Sequence, residues 1–462
     1  MGLVTEMRGG TQTLLTDPKN GAVKTFNFDN SFWTFDENDE HYAKQVDVFN
    51  NLGIEVLDNA FSGYNACVFA YGQTGSGKTY TMMGIPSDPG INPRICINLF
   101  ERIQANENEN VSYKVELSYM EIYNEQVRDL LKVGPKKKPL RVREHKVLGP
   151  YVEGLTKLAV ADNASIETLM AEGNKSRTTA ATAMNAESSR SHAVITLILT
   201  QSIYDPASKQ TGEKASRICL VDLAGSERQA KTKSSGAQLK EGANINKSLT
   251  TLGLVINALA GAGGEKKKSK KSKEHHIPYR DSVLTFLLKD NLGGNAKTVM
   301  IATLSPASDN FDETLSTLRY ADRAKQIVNN AIVNEDPNQK MIRELREELE
   351  LLRSQVGPGG GSAGATSEEA LALREKLLET EGMLAEMTMS WEQKLAKSQD
   401  ILAEHQKLLS DHGAQVSGSG AGLSLQSSLP HFVSISSEFE TEITIYTLKE
   451  GITRMGQCEN PP

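Results

Sequence analysis

Cysteine is scarce in this chain. Only Cys67, Cys96, Cys219 and Cys458 occur in 462 residues, and no pair has metal-ligand spacing. Two of them lie in apolar strand-like runs, which fits buried thiols in a reducing compartment better than a disulfide framework. Long apolar runs are missing, and Met1 opens no signal-peptide pattern, so the chain reads as soluble and intracellular. A basic excess is missing as well. The formal net charge of −7 argues against a nucleic-acid binder and leaves any electrostatic partner to a local patch. Hydrophobic residues at 38% against 24% charged allow one large core with part of the chain non-globular. No internal repeat is visible.

What is present is organised around Phe69 to Thr79. Gly72, Gln73, Thr74, Gly75, Ser76, Gly77, Lys78 and Thr79 fit G-x-x-x-x-G-K-[ST], the phosphate-binding loop. The apolar run Ala66 to Ala70 precedes it as a strand, and Thr79 to Met83 opens a helix whose positive end faces the phosphates. Glycines turn backbone N–H groups inward as an anion cradle; Lys78 would reach the β- and γ-phosphates and the Thr79 hydroxyl would bind Mg²⁺. Taken alone, the stretch also reads as a Gly-rich turn.

Around it the pattern mixes strands and helices. Thr11 to Leu15 and Thr25 to Phe28 alternate as strands, with a turn at Asp17 to Gly21. Residues 43–62, Ile95 to Ile103 and 165–178 have helical periodicity. Val111 to Ile122 reads as a strand that joins a short helix through Asp129, Leu130 and Leu131. Leu140 to His145 is a basic strand or ribbon, and Val194 to Gln201 and Ser216 to Val221 are apolar strands. Across some 330 residues this indicates an α/β fold with a central sheet.

Two further motifs follow strands. Asp222-Leu223-Ala224-Gly225-Ser226-Glu227 places a Mg²⁺-supporting carboxylate beside the loop, and Gly225 lets an N–H approach a γ-phosphate. An ordinary strand-to-loop turn has the same residues. Asn185 to His192 clusters hydroxyls that can ligate Mg²⁺ or orient water, and its Arg190 is a bidentate partner for Glu227. A Ser-rich loop with a surface arginine is the bland alternative.

Together these stretches resemble the kinesin motor domain, from about Thr11 to Asp336. The matching segments are GQTGSGKT, NAESSRSH, DLAGSE, SYMEIYNEQVRDLL, KEGANINKSL from Lys240 and YRDSVLTFLL from Tyr279. The resemblance implies a phosphate-loop fold with a central, mostly β sheet flanked by helices on both faces, and a microtubule-stimulated, plus-end-directed ATPase using ATP and Mg²⁺. It implies that Gly72 to Thr79 and Ser188 hold the nucleotide and that Thr79, Ser189 and Asp222 serve the metal. Ser189, Arg190, Gly225 and Glu227 would carry the catalytic step, the Ser189–Glu227 region relaying the water's proton.

It also implies that Lys231, Lys233, the helix from Lys240, Arg280 and the ribbon around Arg143 to Tyr151 face tubulin. Between that helix and Tyr279 lie Lys266, Lys267, Lys268, Lys270, Lys271 and Lys273, six lysines in eight residues. They form a solvated loop, with a plain linker or a nuclear-import signal as alternatives; the position favours a salt-sensitive tether to tubulin's acidic tails.

The Lys-rich insertion resembles the third kinesin family, the vesicle and organelle transporters. On that reading residues 1–326 are the motor domain, 327–336 the neck linker and 337–356 the neck coil. A Gly-rich linker over 357–366, a coiled-coil helix over 367–412 and a Gly/Ser linker over 413–428 come next. Residues 429–462 resemble an incomplete forkhead-associated domain, a truncated β segment. The coil repeats Ile342, Leu345, Leu349, Leu352 and Val356, either a weak dimer seam or an amphipathic helix packed on the body. In the later helix Leu377, Leu384 and Trp391 recur at seven, with Met387 between. Membrane cargo would need a tail absent here, and the expected place is the cytoplasmic microtubule cytoskeleton.

One departure stands out. The family's motors begin with a strand carrying V-R-V-R-P that lines the adenine pocket, and Met1 starts beyond it. The expectation is a groove in the core with unpaired ladder groups. The alternative function is a microtubule-binding protein with impaired or no ATP turnover.

Overall fold

In a computed structural model, the described residues are 2–132, 138–145, 149–181, 187–206, 210–227, 237–263, 277–334, 349, 375–382, 384–385, 389–411, 414–418, 423–427, 431–435 and 443–447. The chain opens with β1 (Thr5–Arg8), β2 (Gln12–Thr16) and β3 (Val23–Asn27), a small antiparallel sheet. Asp17 closes the expected turn, its Oδ1 accepting from Lys19 N at 2.9 Å. The helical stretch expected over 43–62 is α1 (Gln45–Val48) and α2 (Ile54–Phe61), joined by a π turn at Phe49–Gly53.

β4 (Ala66–Tyr71) leads into the phosphate-loop stretch and α3 (Lys78–Met82), followed by α4 (Ile91–Gln104). β5 (Val111–Tyr123) then turns back into β6 (Gln126–Asp129), so the short helix expected through Asp129 is instead a strand. The reason is local. Asn124 and Glu125 have φ of 53° and 60°, and two left-handed residues make a hairpin turn, not a helix start. Asp129 then fixes the chain leaving β6, accepting from Leu131 N and Thr156 N at 2.9 Å each.

The ribbon expected near Leu140 forms as β7 (Val142–His145) and β8 (Gly149–Val152), and β9 (Leu158–Val160) comes after it. After α5 (Asn163–Ala181), β10 (His192–Asp205) and β11 (Gln210–Asp222) make a long antiparallel pair. α6 (Ala237–Gly263), α7 (Val283–Leu287), β12 (Lys297–Ala302) and α8 (Phe311–Ala324) complete the body.

The central sheet has seven strands in the order β9-β5-β10-β11-β4-β12, with β6 on β5. β4 is parallel to both neighbours and the rest are antiparallel. The alternation of side chains sorts the core into two layers. Ala66, Val68, Ala70, Ile218 and Leu220 face α2, α4 and α5 through Leu57, Ile95, Leu99 and Ile166. Cys67, Phe69, Tyr71, Cys219 and Val221 face α6 and α7 through Leu252, Val255 and Leu284. Helices therefore cover both faces, as the α/β expectation required.

β12 is a sheet edge, and a cavity of about 830 Å³ runs along it between Val299, Ile301, Leu318 and Phe28. It opens at Gly75, Ser76 and Gly77, beside the loop.

The helix expected over 367–412 is interrupted. Residues 375–382 are helical, Met389 and Ser390 are not, and α9 (Trp391–Asp411) begins anew. Ser390 caps it reciprocally: its Oγ accepts from Gln393 N at 3.3 Å while Gln393 Oε1 accepts from Ser390 N at 3.1 Å. α9 lies against the body, Ile401 and Leu402 packing on the sheet's core and Lys394 pairing with Glu116 at 2.8 Å. Within the expected Gly/Ser linker, β13 (Ala414–Gly418) pairs with β14 (Leu423–Ser427), and β15 (His431–Ile435) pairs with β16 (Ile443–Thr447) beyond it. The linker over 357–366 and the neck coil, apart from Leu349, lie outside the described residues. No helix among the described residues is long and apolar enough to cross a membrane.

Candidate nucleotide and filament site

The parallel strands β4 and β11 end side by side, which places Gly72 and Asp222 at one rim of the sheet. Between β4 and α3 the chain turns through Gly77 at φ 98°, a left-handed conformation that residues with a Cβ rarely adopt. α3 spans only five residues, so the loop's own N–H groups, more than a helix dipole, would make the cradle.

Lys78 is buried, and its Nζ donates to the carbonyls of Gly72 at 3.0 Å and Gln73 at 2.8 Å. Burial presses the Lys78 ammonium below its ordinary pKa, and the Asp222 and Glu227 carboxylates oppose that. Thr79 Oγ1 donates to Asp222 Oδ2 at 2.8 Å. Asp222 Oδ1 is buried without a hydrogen-bond partner among the described residues. A threonine hydroxyl and one carboxylate are the oxygen donors Mg²⁺ takes beside phosphate, since it retains several waters. The residues present fit the ion.

Glu227 reaches across to the loop: Thr74 N donates to its Oε2 at 2.8 Å and Thr74 Oγ1 to its Oε1 at 2.5 Å. Gly225 N donates to Ser189 O at 2.9 Å, joining the two Ser/Gly motifs directly. A Cβ at Gly225 would stand 2.3 Å from Glu227 Oε2 and from Thr74 Oγ1, so no side chain fits there without displacing that bridge. Ser188, Ser189 and Arg190 share the turn Glu187–Arg190 immediately before β10. The structure thus brings the phosphate loop, Asp222 to Glu227 and Ser189 to one rim, with Glu227 bonded to Thr74.

Three further residues belong to this site, and sequence reasoning did not assign them a role. Arg177 of α5 is buried and lies 3.4 Å from Asp222 Oδ2 and 3.8 Å from Glu121 Oε1; its Nη2 donates to Ser191 O at 3.2 Å. A basic residue on a helix ordinarily reads as solvent-facing, so nothing in the sequence marked Arg177, and Glu121 lay in a quoted segment without a role of its own. His192 is buried, its Nδ1 accepting from Ala224 N at 3.0 Å and its Nε2 meeting Ser248 Oγ of α6 at 2.7 Å. Acceptance at Nδ1 puts the proton on Nε2, which donates to Ser248. Burial, with Arg177 and Lys78 nearby, depresses the imidazole to a pKa of about 3, so it is neutral.

α6 carries this contact toward the expected filament side. Arg280 lies exposed on that side, paired with Glu144 of β7 and 5.6 Å from the Phe286 ring centre. Lys240 lies on α6. Lys231, Lys233, Lys266, Lys267, Lys268, Lys270, Lys271 and Lys273 lie outside the described residues. The ribbon expected to meet tubulin is covered by acid: Arg143 pairs with Glu153 at 2.8 Å, Glu375 at 2.9 Å and Glu379 at 3.4 Å, and Tyr151 donates to Glu379.

The segment after α8 lies along the body through asparagines. Asn329 Nδ2 donates to Ala296 O at 2.7 Å, Ile332 N to Asn295 Oδ1 at 2.7 Å, and Asn334 N to Gly63 O at 2.9 Å. Asn334 Nδ2 donates to Asn65 Oδ1 at 2.9 Å, at the base of β4.

A phosphate loop, two Ser/Gly motifs bonded to each other and a buried link to a long helix define a phosphate-loop fold of the nucleotide-binding class. The chain belongs to the kinesin family. The kinesin motor domain matches residues 5–327, and the kinesin-associated family matches 362–452. The mouse kinesin-like protein KIF13A is 57% identical over 86% of the chain, and unc-104 of Caenorhabditis elegans 52% identical over 99%. The chain spans only 22% and 30% of these relatives' lengths. A KIF14 dimer bound through two heads to a microtubule with AMP-PNP is 51% identical, with a TM-score of 0.67 over 74% of this chain and 93% of that one. A fast kinesin aligns with a TM-score of 0.63 at 41% identity, over 72% and 88% of the two chains.

Proposed function

We propose that this chain is a microtubule-stimulated Mg-ATPase motor of the vesicle-transporting kinesin type, plus-end directed as its resemblance implies. The observation that carries the reading is the buried set Lys78, Thr79 and Asp222 at the loop. It is bonded through Glu227–Thr74 and Gly225–Ser189 to the two segments that would sense a γ-phosphate. Microtubule binding is supported by solved relatives on microtubules and by the grouping of Arg280, the ribbon and α6.

In this reading Lys78 leaves the Gly72 and Gln73 carbonyls for the phosphates, exchanging neutral acceptors for an anion. Gly225 N–H turns from Ser189 O to the γ-phosphate, and Glu227 leaves Thr74 for Arg190. Ser189 and Glu227 then hold the attacking water and move its proton. Mg²⁺, when bound through Thr79 and through water to Asp222, supplies charge neutralisation of the phosphates. Ala224 moves with Gly225, so His192 and Ser248 feel the change and convey it to α6.

The test is phosphate release with Mg-ATP at low salt, with and without microtubules, beside Lys78→Ala. Strong stimulation abolished by the substitution supports the reading. A second reading is microtubule binding with little turnover, favoured by the unfilled cavity that Gly75, Ser76 and Gly77 help to line beside the loop. Nucleotide-independent pelleting without stimulated release would establish that alternative.

A further inference from the structure

Thr303 follows β12 directly. β12 runs parallel to β4 with Ala302 beside Tyr71, so Thr303 and Gly72 leave the sheet together, Thr303 N donating to Tyr71 O at 2.9 Å. Thr303 is buried, and its Oγ1 lies 2.7 Å from Ser76 Oγ of the phosphate loop, 227 positions away in the chain. Proton accounting gives this bond a direction. Ser76 has one hydroxyl proton, and it goes to Gln73 O at 2.8 Å, a carbonyl that can only accept. Ser76 Oγ therefore accepts from Thr303. The other acceptor within reach of Thr303 Oγ1 is Tyr71 O, which is farther at 3.4 Å and already takes Thr303 N. A chain of bonds thus runs from Thr303 through Ser76 to Gln73 O, and that same carbonyl accepts from Lys78 Nζ at 2.8 Å.

The contact has a second side. A Cβ on Gly72 would meet Thr303 O and Thr303 Oγ1, and would stand 2.8 Å from Ser76 Oγ. Gly72 is not among the glycines of positive φ, so the close approach of Thr303, rather than backbone freedom, excludes a side chain there. Thr303 therefore touches the loop at its first glycine and again at Ser76. Ser76 and Thr303 both line the cavity along β12. On that side the loop borders open volume, and this bond ties it to the sheet.

The mechanism above takes Lys78 from Gln73 O to the phosphates. Ser76 stays behind, so the Gln73 carbonyl keeps a donor and the loop need not rearrange. A brace that holds with and without ligand lowers the ordering cost of binding.

We propose that Thr303 is a positioning residue for the phosphate loop, holding Ser76, and through it the Gln73 carbonyl, so that the loop keeps its nucleotide-binding shape. The brace acts on the bound state and the transition state alike, so it sets nucleotide affinity and leaves the chemical step alone. The inference rests on the nucleotide-binding reading above.

The test uses the full chain. Thr303→Val keeps the shape and removes the hydroxyl, Thr303→Ser keeps the hydroxyl, and Ser76→Ala is made alone and together with Thr303→Val. Dissociation of Mg-ADP with a fluorescent ribose label is followed without microtubules; KM for ATP and the maximal rate of phosphate release are measured with them. Thr303→Val should speed ADP dissociation and raise KM by about three- to tenfold, the effect of one neutral hydrogen bond, with the maximal rate unchanged within about twofold. Thr303→Ser should restore the unmodified values. The double variant should be no weaker than Ser76→Ala, because both remove one chain of bonds. A merely structural role would instead lower the urea midpoint and leave ADP dissociation from the folded chain unaltered.

ADP dissociation indifferent to Thr303→Val, a fall in maximal rate with KM unchanged, a Ser variant as weak as the Val one, or additive losses in the double variant overturns the proposal. In a chain that binds ADP but turns over slowly, ADP dissociation decides by itself. Should Thr303→Val fail to fold, Ser76→Ala decides, since its ADP dissociation must quicken to the same extent. An unmodified chain that binds no ADP refutes the nucleotide reading and this inference with it; one that binds ADP and ignores the substitutions refutes this inference alone.

Discussion

The hydroxyl of Thr79, at the head of one helix, donates across 2.8 Å to the carboxylate of Asp222 at the end of a strand, and that same carboxylate oxygen faces Arg177 at 3.4 Å. Asp222 therefore has a structural task besides any metal-supporting one, because it neutralises a buried guanidinium. Asp222→Ala should destabilise the chain by about 3–5 kcal/mol, since removing one partner strands the other charge. Asp222→Asn, which keeps a hydrogen-bonding oxygen, should cost about 1–3 kcal/mol. Urea denaturation of both variants checks the order; equal losses would mean that Arg177 finds another counter-charge.

His192 sets a pH dependence. Its native pKa of about 3 lies below the ordinary 6.5, so the unfolded chain binds the proton first. Stability from this group is therefore complete above about pH 6.5 and falls with acidification, by up to about 1.4 kcal/mol per pH unit. Urea midpoints from pH 8 to 5 should fall more steeply for the unmodified chain than for His192→Gln, which has no proton to take up.

The acidic helix over the ribbon competes with any anionic partner. Glu375 and Glu379 engage Arg143, and Glu375 also engages Arg141 at 3.4 Å. Glu375→Arg with Glu379→Arg should strengthen microtubule co-sedimentation about three- to tenfold at low salt, less at high salt, because partly exposed pairs are individually weak and screened. Unchanged affinity would place the ribbon away from tubulin.

Asn329 anchors the seated segment from both ends of its amide. Its Nδ2 reaches Ala296 O and Thr298 Oγ1, and its Oδ1 accepts from Gly293 N at 2.8 Å. Asn329→Ala should weaken seating by about 2–3 kcal/mol, at about 1 kcal/mol per neutral bond lost. Hydrogen exchange at Asn330 and Asn334, whose amides are bonded to the body, should accelerate accordingly.

Much of this site was legible because its chemistry is contiguous. Gly72 to Thr79 and Asp222 to Glu227 each name their task within a few residues, and the apolar runs of β4 and β11 announced a buried central sheet. Legibility stopped where a residue's role depends on a distant partner. Arg177 looks like any helical arginine until Asp222, 45 positions on, is folded against it. His192 was read within its motif, yet its link to Ser248 spans 56 positions. The turn at Asn124 and Glu125 was missed because residues other than glycine seldom enter the left-handed region. The break before Trp391 lies in a short Ser-x-x-Gln signal, masked by helical periodicity on either side.

The sequence by itself determined the class of fold, the phosphate loop and the kinesin resemblance, because backbone geometry and phosphate chemistry demand particular residues at fixed short spacing. Only the tertiary structure decided which charges neutralise each other in the core, that an acidic helix lies on the basic ribbon, and that Thr303 bonds to Ser76. Those pairings join residues far apart in the chain. They arise from burial, where the loss of water makes each unpaired polar group costly and leaves few arrangements that satisfy them.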